Sequence, residues 1–167
     1  MTLATLLALG VGVLAAAWDL RWRRIPRWLT VPALAWGLVL HAIGGGFLSA
    51  LAAAALGLLL GAALVQLGAM GGGDAKLLGA MGALLGLHLW WWSVEFGVLA
   101  AAAGALVQVT RSGRLPFLAG DLGAILTGLR RRGLHPHPEH NLATPGALTA
   151  PFGVALALGV ACAVWLR

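Results

Sequence analysis

The sequence contains little charge, and acidic residues are the scarcest charged residues. Only 10% of its 167 residues are charged, and five are aspartate or glutamate against eleven lysines and arginines. A soluble domain carries about 25% charged residues. Hydrophobic residues make up 60% of the chain, and the mean hydropathy is +0.93. Folding alone cannot hide so much apolar surface from water, so we expect a membrane protein with the bilayer as its solvent.

Cysteine is nearly absent as well. The single cysteine, Cys162, lies in an apolar run. One thiol excludes an intrachain disulfide and any zinc site built from paired cysteines. The glycine run at 71–73 does not form a nucleotide-binding P-loop, because Asp74 follows it and Leu77 stands after Lys76 where the P-loop needs serine or threonine. We therefore expect no metal, no other cofactor and no nucleic-acid partner.

Six apolar stretches predict an all-α, polytopic membrane protein: a bundle of six transmembrane helices forming one membrane-embedded domain over residues 1–167. Each stretch is close to the roughly 20 residues that a helix needs to cross hydrocarbon. Basic residues, glycines and the Trp90–Trp92 run separate most of them. The predicted spans are 2–19, 28–43, 47–67, 75–92, 94–110 and 147–166.

The positions of the basic residues predict the orientation. Alternating crossings place three connections on one side: 20–27, 68–74 with Lys76 just beyond, and 111–146. Ten of the eleven basic residues lie there, and only Arg167 lies on the other side. The positive-inside rule makes that side cytoplasmic. We expect a multi-pass protein of the inner (plasma) membrane with both termini outside.

The connection 111–146 holds a predicted amphipathic helix on the cytoplasmic side. Apolar residues recur at helical spacing and the run ends in Arg130–Arg132, which is typical of a helix lying on an anionic leaflet. We interpret Asp121 as the cap of that helix. The apolar positions are Leu118, Leu122, Ile125, Leu126 and Leu129.

A histidine-rich segment follows within the same connection. Its prolines keep it extended, and no further ligand lies near it in the sequence. We interpret it as a solvated loop rather than a zinc site. The polar residues of this segment are His135, His137, Glu139 and His140.

Two of the five acidic residues stand at the cytoplasmic ends of predicted spans. Asp19 ends the first span and Asp74 begins the fourth, so both reach the cytoplasmic side at a similar depth. Ionisable residues near hydrocarbon are costly, which makes such a pair a functional hypothesis. Each also has a structural interpretation: Asp19 is four residues before Arg23, the spacing of a helical ion pair, and Asp74 could cap the fourth helix.

Two neighbouring carboxyl groups can hydrolyse a peptide bond without a metal or a covalent intermediate. Carboxyls about 3 Å apart cannot both ionise, so they share one proton. The ionised partner takes a proton from water, which attacks the peptide carbonyl. The protonated partner polarises the carbonyl oxygen and later protonates the leaving amine. Glycines beside Asp74 would let an extended substrate backbone approach closely.

Three motifs, in order along the chain, resemble those of the type IV prepilin peptidases, a family of G-x-G-D aspartic membrane proteases. "WDLRWRRIPRWLT" resembles the family segment in which an aspartate precedes basic residues and Ile-Pro-Asn. "GGGDAK" resembles the G-x-G-D motif, and "APFGVALALG" resembles the last span, which begins with a proline and an aromatic. The resemblance implies that Asp19 and Asp74 are the catalytic pair. It implies that Gly71 and Gly73 are the motif glycines and Lys76 the basic residue downstream.

The resemblance also implies the reaction and the partner. The expected reaction removes a short basic leader from a prepilin at the cytoplasmic face, usually after a glycine. The substrate's hydrophobic helix would stay in the bilayer among the membrane lipids. Larger family members carry a cysteine-rich insertion and methylate the new N-terminus; this chain has one cysteine, so it resembles the short, peptidase-only form of the tight-adherence (Flp) type or an archaeal counterpart. Arg27 stands where the family usually has asparagine, a change that we expect to affect loop geometry more than chemistry.

Two interpretations from other classes remain open, together with a different protease. The protein could be a membrane scaffold, or a small transporter, whose aspartates pair with Arg23 and Lys76. A transporter more often shows charges near the middle of the bilayer and repeated halves, and neither is found in the sequence. A presenilin-like protease would place its aspartates deeper in the bilayer than Asp19 and Asp74 are predicted to lie.

Overall fold

The structure is a computed structural model that describes residues 1–111 and 151–166. Within this part of the chain it contains five helices and no strand, as the all-α prediction requires. The predicted amphipathic helix, Asp121 and the histidine-rich segment lie outside the described residues. The helices are α1 (Leu3–Trp22), α2 (Arg27–Ile43), α3 (Phe47–Gln66), α4 (Gly72–Arg111) and α5 (Phe152–Trp165).

Three of these helices, α1, α3 and α4, are long and apolar enough to cross a membrane. The other two, α2 and α5, are shorter apolar helices of 17 and 14 residues. Large apolar side chains such as Leu48, Leu59 and Val98 point outward and are exposed over most of their surface. Outward-facing apolar surface of this extent fits a bilayer better than water. The count of six spans stays a prediction.

Helix α4 is broken at Gly86, whose backbone is left-handed with φ 70° and ψ 171°. Trp90 donates its Nε1–H to the carbonyl of Leu78 at 3.1 Å, twelve residues earlier. In a straight helix twelve residues span about 18 Å, so the second arm (87–111) must fold back on the first (72–85). The hydroxyl oxygen of Ser49 in α3 accepts a hydrogen bond from the N–H of Leu87 at 2.9 Å. This bond gives an acceptor to a backbone N–H at the start of the second arm.

The two arms of α4 correspond to the predicted spans 75–92 and 94–110, but the turn lies at a different residue. The sequence analysis placed the break among the tryptophans Trp90–Trp92, which instead lie within the second arm. Gly86 makes the turn because glycine adopts positive φ without the steric penalty of a β-carbon.

The first arm of α4 forms the core of the bundle. Residues 77–86 are all buried. Neighbouring helices approach its backbone at glycines: a β-carbon on Gly82 would lie 2.5 Å from the carbonyl oxygen of Ala53, and one on Gly57 would lie 2.7 Å from that of Leu78. Small residues at crossings allow this packing, which stabilises helix association where lipid tails provide no hydrophobic drive.

Tryptophans surround the end of the bundle where α1 meets α2. The rings of Trp18 and Trp22 lie 4.3 Å apart, and Trp28 of α2 meets Trp18 edge-on at 5.4 Å. Such amphipathic rings are enriched at membrane–water interfaces. Their contacts join the last turn of α1 to the first turn of α2 and so constrain the short connection between them.

Gly82→Ala is expected to lower the free energy of unfolding by about 1–3 kcal/mol, because its methyl group must displace the backbone of α3. Gly104→Ala is the matched control in the same helix, since no atom of the described part of the chain lies within 4 Å of its β-carbon position. That change should be neutral or stabilise by up to about 1 kcal/mol. Unfolding in detergent micelles measures both variants, and equal effects would contradict the close packing of α3 on α4.

Candidate active site

Asp19 ends a stripe of small residues on α1. Ala8, Gly12, Ala15 and Asp19 follow each other at steps of three or four residues, so they share one face of the helix. That face packs on α5: the β-carbon position of Gly12 lies 3.5 Å from Ala157. The periodicity of the stripe therefore delivers Asp19 to the start of α5, where its side chain is only 7% exposed.

The carboxylate of Asp19 accepts a hydrogen bond from the first turn of α5. The backbone N–H of Gly153 donates to its Oδ2 at 2.9 Å. The first N–H groups of a helix have no carbonyl partner within the helix, and the helix dipole favours negative charge at this end. Asp19, which belongs to α1, thus accepts a hydrogen bond from one of the free N–H groups at the start of α5.

Asp74 lies in the first turn of α4 and is half-buried. Its Oδ2 accepts the backbone N–H of Gly71 at 3.3 Å, and Ala75 donates its N–H to the carbonyl of Gly71 at 3.2 Å. These two bonds close the first turn of the helix around Gly71. The capping role that the sequence offered for Asp74 is therefore present in the structure.

The segments that carry the two aspartates are in contact. A β-carbon on Gly73 would lie 2.9 Å from the carbonyl oxygen of Ile25 and 3.2 Å from its nitrogen. Ile25 belongs to the connection after α1, which begins where Arg23 turns left-handed and donates its N–H to the carbonyl of Asp19. Glycine at position 73 is required because the backbone of that connection passes directly over it.

The two carboxyl groups lie at the same end of the bundle, because the glycine run before Asp74 packs on the connection that follows Asp19. Within the described residues no hydrogen bond joins them directly; each accepts from a backbone N–H instead. The equal membrane depth of Asp19 and Asp74 stays a prediction. The hydrogen bond from the backbone uses the Oδ2 oxygen of each carboxyl, and the Oδ1 oxygen is the second one.

A cleft of about 260 Å³ opens beside Asp74. A water molecule occupies about 30 Å³ in the liquid, so the cleft has room for several waters or for a short stretch of peptide. The motif glycines and the connection between α1 and α2 form its walls. The lining residues are Arg23, Arg24, Ile25, Gly71, Gly72, Gly73 and Asp74.

The sequence analysis also singled out Gly71, Gly73 and Lys76, and the structure can be compared with it at these positions and at the acidic residue Glu95. Gly71 binds Asp74, and Gly73 packs on Ile25, so both belong to the site. Lys76 lies half-buried in the second turn of α4, and its role stays a prediction. Glu95 lies in the second arm of α4, exposed, where its Oε1 accepts the Nε1–H of Trp91 at 2.6 Å.

Gly153 is the contribution that the sequence analysis did not identify. The motif that contains it was used only for its resemblance to a last span. A signal was nevertheless present: Pro151 marks a helix start, and the predicted span begins on the same side as Asp19. The free N–H groups of such a start point toward that side, where Asp19 and Asp74 stand at the ends of predicted spans.

Asp19→Ala is expected to lower the free energy of unfolding by about 1–2 kcal/mol, because it leaves the N–H of Gly153 without an acceptor. Asp19→Asn keeps an acceptor oxygen and should lose much less. The exposed Glu95→Ala serves as control and should change stability by less than about 0.5 kcal/mol. Unfolding in detergent separates the three, and equal losses in the alanine and asparagine variants would exclude the capping role.

Comparison with known proteins identifies the family. The family model described as "Type IV leader peptidase family" matches residues 6–109, a segment that includes Asp19, Asp74 and the glycine run at 71–73. No curated protein and no solved structure matches the chain. The matched segment covers α1 to α3 and nearly all of α4, whereas α5 lies beyond it. The chain therefore belongs to the type IV leader peptidase family.

Proposed function

We propose that this protein is an aspartic endopeptidase that removes the short basic leader from type IV prepilin-like precursors, with Asp19 and Asp74 as the catalytic pair. One observation carries the proposal. Two acidic residues 55 positions apart in sequence are brought to the same end of the bundle, where a cleft opens beside Asp74, and both lie within the segment that matches a peptidase family. Ionisable residues brought together at a membrane level are candidates for chemistry.

The proposed reaction uses one carboxylate and one carboxylic acid. The carboxylate removes a proton from a water molecule, and the water oxygen forms a bond to the scissile carbonyl carbon. The carboxylic acid donates its proton to the carbonyl oxygen, giving a neutral tetrahedral diol. The C–N bond then breaks as the leaving nitrogen takes the proton that the first carboxyl gained. This donor differs from the one named in the sequence analysis, because the second carboxyl has already given its proton to the carbonyl oxygen. The diol proton returns to the second carboxyl, so both residues recover their starting states.

The glycine motif contributes shape to this site. Gly72 lines the cleft, and no atom of residues 1–111 or 151–166 lies within 4 Å of its β-carbon position, so a substrate backbone can approach it closely. Gly71 holds one oxygen of Asp74 in place. Gly73 is taken up by packing on Ile25 and contributes to substrate binding only indirectly.

The charges around the cleft constrain how a basic leader can bind. Arg23 and Arg24 line the cleft next to Asp74, so positive residues of the leader are not attracted to that wall. An anionic leaflet surface attracts basic segments by about 1 kcal/mol for each lysine or arginine. We infer that the residues at the scissile bond enter the cleft while the basic part of the leader lies along the lipid headgroups.

Asp19→Asn and Asp74→Asn are each expected to lower the cleavage rate by about 10²–10⁴-fold or more, because each variant removes one proton-transfer group. The measurement uses membranes or detergent-purified protein and a prepilin that carries a short basic leader. The product should have a free, unmethylated amino terminus. Glu95→Gln is the matched acid-to-amide control and should cleave at the wild-type rate, because Glu95 lies exposed in the second arm of α4.

A non-catalytic scaffold is the competing function, and one observation favours it: both aspartates already serve the start of a helix. A scaffold needs nothing more from these residues. Wild-type protein that cleaves none of a panel of basic leaders would support the scaffold. An active wild type whose Asp19→Asn or Asp74→Asn variant keeps full activity would instead contradict the pair as drawn.

The proposed topology places the site at the cytoplasmic face of the inner membrane, with α4 crossing twice. In a Cys162→Ser background, Gly44→Cys after α2 should react with a membrane-impermeant maleimide added outside. Gly72→Cys, at the start of α4, should react only after permeabilisation. Both positions are exposed, so access to solvent is matched. Labelling of both from the same side would exclude the proposed crossing pattern.

A further inference from the structure

Helix α5 lies beyond the family match yet contributes a polar group to the site. Gly153 donates its N–H to Oδ2 of Asp19 across 134 residues of sequence. Resting on the proposed function, we propose that Gly153 is a positioning residue of the catalytic pair. Its N–H holds one oxygen of Asp19 and leaves the other to face the attacking water.

The start of α5 is built to present this donor. Pro151 precedes the helix, and Ala155 donates its N–H to the carbonyl of Pro151 at 3.3 Å, which sets the register of the first turn. Gly153 is then the second helical residue, and its N–H has no carbonyl acceptor within the helix. A carboxylate at this position also gains from the helix dipole. The donor therefore holds the carboxyl of Asp19 in one fixed orientation.

Close contact requires a glycine at this position. A β-carbon on residue 153 would lie 3.1 Å from Cβ of Asp19, 3.2 Å from its Oδ2 and 3.2 Å from the carbonyl oxygen of Ala15. The carbonyl belongs to the backbone of α1 and yields little. The carboxyl of Asp19 would therefore move by a few tenths of an ångström, along with the oxygen that faces the substrate.

The two aspartates are held in different ways. Asp74 accepts its hydrogen bond from Gly71, three residues earlier in its own segment, at 3.3 Å. Asp19 is held by a shorter bond from another helix and is 7% exposed. Asp19 is thus the fixed member of the pair, and its position is determined by how α5 packs on α1. Misplacement of a reacting group by about 1 Å can lower a rate about 10²-fold.

The sharpest test removes the N–H without changing shape. Glycolic acid at position 153 of the full chain replaces the amide by an ester that has no donor. We expect kcat to fall about 10- to 100-fold, since Asp19 loses its orientation. KM should change less than about twofold, because substrate binding is untouched. The same amide-to-ester exchange at Phe152, using phenyllactic acid, is the control and should keep the wild-type kcat.

A second variant tests the same role through sterics. Gly153→Ala should lower kcat with little change in KM. Gly104→Ala should not, because its new methyl group meets no described residue within 4 Å. In an Asp19→Asn background, Gly153→Ala should cause no further loss of single-turnover rate, because its effect passes through Asp19.

The outcomes separate this proposal from the proposed function. Ester and alanine variants that unfold more easily but keep the wild-type kcat would make Gly153 a helix start and nothing more, which overturns the proposal while leaving the peptidase intact. A further rate loss in the Asp19→Asn background would also overturn it. Wild-type protein without cleavage activity contradicts the proposed function itself, and with it the role of Gly153.

Discussion

The structure depends on burying the first arm of α4 on all sides within the bundle. The first arm of α4 is buried from residue 77 to Gly86, so its neighbours must approach its backbone closely. They do so at glycines such as Gly57 and Gly82, where a single methyl group would collide with a facing carbonyl. In a bilayer, such packing replaces the hydrophobic drive that a soluble core would use. Because Asp74 begins this arm, the same packing places one half of the candidate site.

The structural and chemical roles of the two aspartates are not exclusive. Asp19 satisfies the start of α5 and Asp74 the start of its own helix, each with one carboxylate oxygen. A carboxyl held by one oxygen has a defined plane, which is what a proton-transfer group needs. The bonds that a scaffold would use are therefore those that would orient a catalytic pair. Only chemistry measured on variants that still fold can separate the two functions.

The glycine run before Asp74 has a different meaning from the one that its sequence suggested. The sequence analysis attributed these glycines to the approach of a substrate backbone. In the structure Gly73 packs on Ile25 and Gly71 donates to Asp74, whereas the β-carbon position of Gly72 has no described atom within 4 Å. One glycine therefore joins the two aspartate-bearing segments, one orients an aspartate, and one leaves room. The sequence analysis assigned one role to the three glycines of the motif, whereas the structure gives each of them a separate role.

The sequence by itself determined the all-helical class and the approximate bounds of most helices, and it marked the two aspartates as candidates, because apolar periodicity and rare charges are properties of the chain alone. The alternation of the crossings also predicted that Asp19 and Asp74 lie on the same side of the membrane at a similar depth. Tertiary structure decided the rest. The turn of α4 falls at Gly86, where Ser49 receives the new helix start, and the donor to Asp19 comes from α5. Both depend on which backbone groups from distant segments meet, and no local pattern records that.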